Sequence, residues 1–173
     1  RNRMIIPTTN GPLSLTIPTS HDTSMAMKDI RISDHANWRH VHWNALLSAY
    51  GESPFFEYYQ DDIRPFYEKK YDFLFDFNME ITEKMIELLD IRPKISVTDE
   101  YFPKKSEGQA SLPSASSDIV DFRDAIRPKK SLPDAEFAPK RYYQVYEQKH
   151  GFLPNMSILD LLFNEGNEAI FYL

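Results

Sequence analysis

The sequence predicts an α/β protein in which a mixed sheet with an amino-terminal antiparallel hairpin is packed by several helices, an α+β arrangement being the close alternative. Three observations lead there. Two short β-like runs flank an Asn10-Gly11 pair, a strong signal for a tight hairpin turn. Several later segments carry apolar residues at helical spacing. Aromatic residues make up 14% of the chain while glycines number only five, which favours ring-rich packing of helices on a sheet over a glycine-turned β-barrel. With 173 residues, 42% of them hydrophobic, the chain supports one core, so a single domain over 1–173 is expected.

Residues 4–6 and 13–17 form the hairpin strands, their length limited by Pro7, Pro12 and Pro18. Residues 19–26 are polar and read as irregular. A third strand is predicted at 28–32, where Ile30 and Ile32 alternate with Asp29 and Arg31. The spacing of Trp38, Val41, Ala45, Leu46 and Ala49 predicts a helix over 37–50, with Asp34 or Asn37 as its cap and Gly51 as its stop. Ser53-Pro54 opens a short helix to Tyr59, proline being well suited to a first helical turn. Pro65 begins the longest predicted helix, to about Leu89, its stripe including Tyr67, Tyr71, Leu74, Phe77, Asn78, Ile81 and Met85. A strand at 94–97 follows.

Residues 99–140 form a long Pro-rich irregular region, with its flexible point at 111–117 and one or two helical turns at 119–126. Alternation over 141–147 predicts a strand with Tyr142, Gln144 and Tyr146 on one face. The last helix starts at Ser157, an N-cap with Asp160 three residues on, and stops at Gly166. Ile158, Leu159, Leu161, Leu162 and Phe163 cover nearly its whole circumference, so it is read as buried, with Asp160 and Asn164 one turn apart on one face.

The net charge of −6 disfavours a nucleic-acid partner, since the basic residues occur only in short scattered groups. The absence of cysteine removes disulfides and thiolate chemistry and fits a reducing compartment. No run approaches the roughly 18 apolar residues of a membrane span, so the expected location is the cytoplasm. The chain opens on Arg1 and enters a strand-like run at once, so an amino-terminal segment is expected to precede it.

Few residues are candidates for chemistry. His42 lies in the apolar stripe of its helix, whereas His40 projects elsewhere. An imidazole there serves either as a hydrogen-bonded structural group or as a general base. Asn78, in the greasy stripe of the long helix, is either a core amide fixing helix position or part of a polar cavity shared with His42, Asp160 and Asn164. Arg3 has the guanidinium suited to carboxylate or phosphate, the alternative being no role at a terminus that simply frays. The cluster of Tyr50, Phe55, Phe56, Tyr58 and Tyr59 reads as core, with ring stacking on a ligand as the alternative. No phosphate-binding glycine loop, zinc motif or nucleophile elbow occurs, and His40 and His42 are offset wrongly for two ligands on one helical face.

The 151–166 run, with Tyr142-Tyr143-Gln144 before it, resembles the carboxy-terminal signature of the WbqC-like family. The likeness extends to the Arg1-Asn2-Arg3 entry, Asp29-Ile30, the block holding Trp38, His42 and Trp43, the 50–59 aromatic cluster and the helix around Asn78. The family's leading Pro-rich segment is not in this chain, and the stretch from about 102 to 117 matches none of its motifs. Members are bacterial proteins usually found among genes for cell-surface polysaccharide synthesis. The resemblance implies a transferase-like enzyme of O-antigen type biosynthesis, acting on a sugar or nucleotide-linked precursor, with glycine transfer as one suggested reaction. In that case His42 is the base, Asp160 orients a partner, Asn78 and Asn164 orient the acceptor or stabilise an oxyanion, and Arg3 and Gln144 join them in holding substrate. A noncatalytic binding or scaffold protein of the same pathway is the alternative. Cofactor and oligomeric state are left open.

Overall fold

A loop of only two residues, Thr9 and Asn10, joins the first two strands, and the residue after it must take a backbone shape that side chains resist. Gly11 meets that need with φ 99°. In the computed structural model, which describes residues 2–20, 26–98 and 138–173, β1 (Arg3–Thr8) and β2 (Gly11–Thr16) pair antiparallel from Arg3 opposite Thr16 to Thr8 opposite Gly11. The Thr8 hydroxyl clamps the loop, donating to the Gly11 carbonyl (2.8 Å) and accepting from the Asn10 amide (3.2 Å). Ile6 and Leu15 turn inward, while Ile5 and Leu13 stay exposed.

The predicted third strand is shorter and differently flanked. Met27–Asp29 is a turn of 3-10 helix, and only Arg31–Ile32 (β4) pairs, with Thr19–Ser20 (β3), inside the stretch read as irregular. The other side of this backbone accounts for the largest departure from the predicted elements. Ile32 N–H donates to the Asp72 carbonyl (2.9 Å) and Leu74 N–H to the Ile30 carbonyl (2.9 Å). Residues 69–73 therefore leave helical geometry, with Lys69 and Phe73 extended. The single helix predicted from Pro65 is in fact two, separated by this pairing. Tyr71 remains buried, its hydroxyl donating to Glu80 (2.8 Å), so burial continues across a break in the backbone helix.

The first long helix, α1 (Trp38–Tyr50), forms as expected, but neither expected cap holds its start. Asn37 is left-handed with no side-chain cap, and Asp34 pairs instead with Arg39 (2.6 Å) and Lys70 (2.7 Å). Next, α2 (Phe56–Ile63) begins three residues after Ser53, whose own backbone makes the preceding turn. The pieces of the long helix are α3 (Pro65–Glu68) and α4 (Leu74–Leu88).

Neither later strand forms. Residues 94–97 are exposed and irregular, and 141–146 make no ladder before the single turn α5 (Glu147–His150). In place of a neighbouring strand, the Gln144 side-chain amide takes both backbone groups of Leu153, donating to its carbonyl (2.9 Å) and accepting from its N–H (2.8 Å). Residues 111–117 and 119–126 lie outside the described residues.

The last helix, α6 (Ile158–Glu165), matches its sequence reading. Ser157 caps it through the Leu159 N–H (3.4 Å), and every side chain from Leu159 to Asn164 is buried. Its far end requires glycine, because Gly166 has φ 59° and a Cβ there would lie 2.8 Å from the Phe55 ring. Phe163 is packed edge-on by Tyr50 and Phe56, with ring centroids 5.0 Å away in each case. A second aromatic group joins Trp38 to Phe77 (6.0 Å) and Phe77 to Tyr71 (5.2 Å), so α1 and α4 are tied through rings. Each fully buried side chain of this size contributes about 1.5–3 kcal/mol of transfer energy.

The helices and strands thus mix as the fold class predicted, with the amino-terminal hairpin antiparallel. Both sheets among the described residues are two-stranded and antiparallel. The elements named here belong to one unit, Arg1–Pro93 with Pro139–Leu173; Lys94–Ala138 forms a second.

Candidate active site

Two distinct polar groupings arise from these elements. The first surrounds a cavity of about 290 Å³ between the hairpin, α1, α4 and the start of α6. Helical spacing puts Asn78, Ile81, Thr82 and Met85 of α4 on the face that lines it. His42 enters from α1, Arg3 and Met4 from β1, Leu15 from β2, and Ser157 to Leu159 from the cap of α6. Most of this wall is apolar. The polar side chains His42 and Asn78 stand along it, and Arg3 and Thr82 are exposed.

His42 is only 4% exposed, with the Trp38 ring edge-on at 5.1 Å and the Tyr67 ring at 6.3 Å. Burial lowers its pKa below the ordinary imidazole value; the Thr16 backbone works in the opposite direction but is the weaker influence. The ring is therefore neutral near pH 7, the form that accepts a proton. Burial raises the Tyr67 hydroxyl well beyond its usual range, so it stays protonated beside the imidazole. Arg3 donates from Nε to the Thr16 hydroxyl (2.8 Å), which ties its stem to the neighbouring strand.

The second grouping is largely buried, although its Gln144 also lines a separate cavity of about 370 Å³ beside Arg141, Tyr143 and Glu147. Asp160 is fully buried and accepts at Oδ2 from the Tyr142 hydroxyl (2.6 Å) and from Gln144 Nε2 (2.8 Å). Asn164 donates to the Asp160 backbone carbonyl (2.7 Å) and more distantly to Oδ1 (3.3 Å). Desolvation raises the Asp160 pKa, and the donors around it, Tyr142 foremost, oppose that rise without cancelling it. The Tyr50 hydroxyl also faces this carboxylate. Burial first, and then the Asp160 charge, push its pKa far up, but the hydroxyl does not reach hydrogen-bonding geometry.

Arg3, His42 and Asn78 are therefore brought to one cavity, whereas Asp160, Asn164 and Gln144 are not among the residues lining it. A single hollow shared by the three helices does not form, because α6 turns its apolar Ile158 and Leu159 toward the cavity and its carboxylate toward Tyr142 and Gln144. The sequence reading missed Thr82, although its position four residues after Asn78 placed it on the same face. It also missed Tyr142 as the partner of Asp160, since a hydroxyl contact between distant segments leaves no periodic trace. Within the aromatic cluster Tyr50, Phe56 and Tyr59 are core, while Tyr58 is 73% exposed and Phe55 covers Gly166.

Among the described residues no group of three or more His, Asp or Glu side chains is placed to hold a metal ion. No helix among them is long and apolar enough to cross a membrane.

The chain is 30% identical over 190 residues to a Mycobacterium tuberculosis protein, "Uncharacterized protein Rv1507c", covering 100% of this chain and 80% of that one. No solved structure matches it. The WbqC-like protein family matches residues 1–172. The chain belongs to the WbqC-like protein family.

Proposed function

We propose that this protein is a cytoplasmic transferase-like enzyme of cell-surface polysaccharide biosynthesis, of O-antigen type, that moves an acyl or aminoacyl group onto a sugar or its nucleotide-linked precursor. The observation that carries the reading is the neutral His42 imidazole on the wall of a cavity that also presents Asn78 and Arg3. A base with a lowered pKa is unprotonated at neutral pH and able to accept the proton an attacking hydroxyl or amine must lose.

The donor is an activated acyl compound and the acceptor a sugar hydroxyl or amine. As the acceptor's oxygen or nitrogen bonds to the acyl carbon, His42 takes its proton. The tetrahedral intermediate then collapses, the bond from acyl carbon to leaving group breaks, and the leaving group recovers the proton from the imidazolium. Asn78 supplies an amide suited to the developing oxyanion or the acceptor hydroxyl. Arg3 supplies charge for a carboxylate or phosphate. Asp160, Asn164 and Gln144 serve this site as frame, fixing α6 against the 142–153 segment.

Replacing His42 by Ala tests the reading. The variant is expected to remain folded by circular dichroism and to abolish modification of the polysaccharide. Intact modification would remove His42 from the mechanism. The rival, a noncatalytic binding or scaffold protein of the same pathway, draws support from the burial of Asp160, Asn164 and Gln144 away from the His42 cavity. It predicts no thermal shift with nucleotides, nucleotide sugars, amino acids or acyl compounds, because only a ligand selective for the native state raises its stability.

A further inference from the structure

We infer that the His42 cavity accepts the hydrocarbon body of an acyl group with an anionic or strongly polar head, and that it selects against glycine and against a bare sugar ring. The inference rests on the acyl-transfer reading above and narrows its donor.

The argument begins with the wall. Leu15, Ile17, Phe77 and Met85 are buried residues that face the cavity, and Met4, Ile81 and Ile158 extend the same surface. A sugar hydroxyl set against such a wall loses its water without replacement partners, at a cost of about 1–3 kcal/mol for each unmade bond. A methylene gains there instead. Glycine has no side chain with which to fill the space. At about 290 Å³ the cavity lies at or below the small end of ligand sites, and a whole nucleotide-linked sugar exceeds it. It therefore encloses one apolar part of a larger donor.

Two features set the polarity of that part. Met4 and Met85 are unbranched and polarizable, side chains that mould to a flexible chain better than branched ones do. Arg3 is exposed at its edge of the lining with its Nε held by Thr16, which leaves the remaining guanidinium edge available to an anion. Among the described side chains lining the cavity it is the one cation at neutral pH, because His42 is neutral and none of them is a Lys. Among the described residues, no lining side chain is acidic. A largely apolar wall with the Arg3 cation at its edge, and no carboxylate among its described residues, suits a carboxylate, thioester or phosphoester head attached to a hydrocarbon body.

The test is calorimetric titration of the full chain with straight-chain carboxylates from acetate to octanoate, with glycine and N-acetylglucosamine alongside. Affinity is expected to rise about fourfold per added methylene until the cavity is full, the value of burying one CH₂. Ile81→Trp, which fills the cavity from a half-buried position, should abolish the chain-length trend. Arg3→Gln should weaken the carboxylates at least fivefold and leave the matching neutral amides unchanged. Equal affinity across the series, or preference for glycine or the sugar, overturns the inference. Retention of the trend in a folded Ile81→Trp variant does so as well.

The outcome is separable from the fate of the transfer reading. Loss of the trend with His42-dependent modification intact rejects the hydrocarbon donor alone. A clear trend with modification indifferent to His42 rejects the mechanism and keeps the binding preference.

Discussion

Removing the Asp160 carboxylate is the sharpest perturbation available, because the side chain is buried against Tyr142 and Gln144 and is not among those lining the cavity. In Asp160→Ala the Tyr142 hydroxyl loses its acceptor at 2.6 Å, and Gln144 Nε2 loses one of its partners while keeping the Leu153 carbonyl. A buried donor left without a partner costs about 1–3 kcal/mol. The stranded hydroxyl and half-stranded amide, together with the small void, therefore cost about 4 kcal/mol. Against this, Asp160 carries a raised pKa, so its charged form is penalised in the fold and its removal returns part of that penalty. The net expectation is about 3 kcal/mol, a fall in Tm of about 6–12 °C for a domain of this size. Asp160→Asn, which keeps one acceptor and the shape, should lose about half as much. Urea titration of Asp160→Ala, Gln144→Leu and the double variant should give a coupling of about 1–2 kcal/mol. Carboxylate affinity of the folded variant should be unchanged. A destabilisation below about 0.5 kcal/mol, or loss of ligand affinity at undiminished stability, would refute the assignment of Asp160 to the frame.

Two further expectations concern pH and packing. Because burial depresses the His42 pKa, the unfolded chain takes up a proton more readily than the native one. The stability associated with this group is therefore complete above the ordinary imidazole value and declines as pH falls toward the lowered one. His42→Gln should flatten that slope in denaturant midpoints, and an unchanged slope would mean His42 is not the group responsible. Gly166→Ala sets a Cβ against the Phe55 ring and imposes a side chain on a left-handed backbone. It should cost about 1–3 kcal/mol, with part of the loss recovered when Phe55 is also reduced to Leu. A fully stable Gly166→Ala protein would contradict the close approach.

Local chemistry in the sequence determined a definite part of this protein. The Thr9-Asn10-Gly11 turn, the apolar stripe of α1 and the Ser157 to Gly166 helix are each set by their own residues, and only the last of them also carries its own cap and stop, so each could be read without knowing its neighbours. His42 and Asn78 were legible as candidates for the same reason, being polar residues inside apolar periodicity. The resemblance to the WbqC-like family was likewise legible, since it rests on residue identities in fixed order.

The tertiary structure decided what depends on pairing between distant segments. The break between α3 and α4 exists because residues 30–32 take the backbone of 72–74, and helical spacing at Tyr67, Tyr71 and Leu74 conceals it. The strand expected at 141–147 has alternating side chains but no partner, and an amide side chain takes the partner's place. The division of the polar residues into a set lining the His42 cavity and a buried set around Asp160 was likewise invisible, because periodicity places a residue on a face of its own helix and does not say which other element that face meets. Only packing turned one side of α6 toward His42 and the other toward Tyr142.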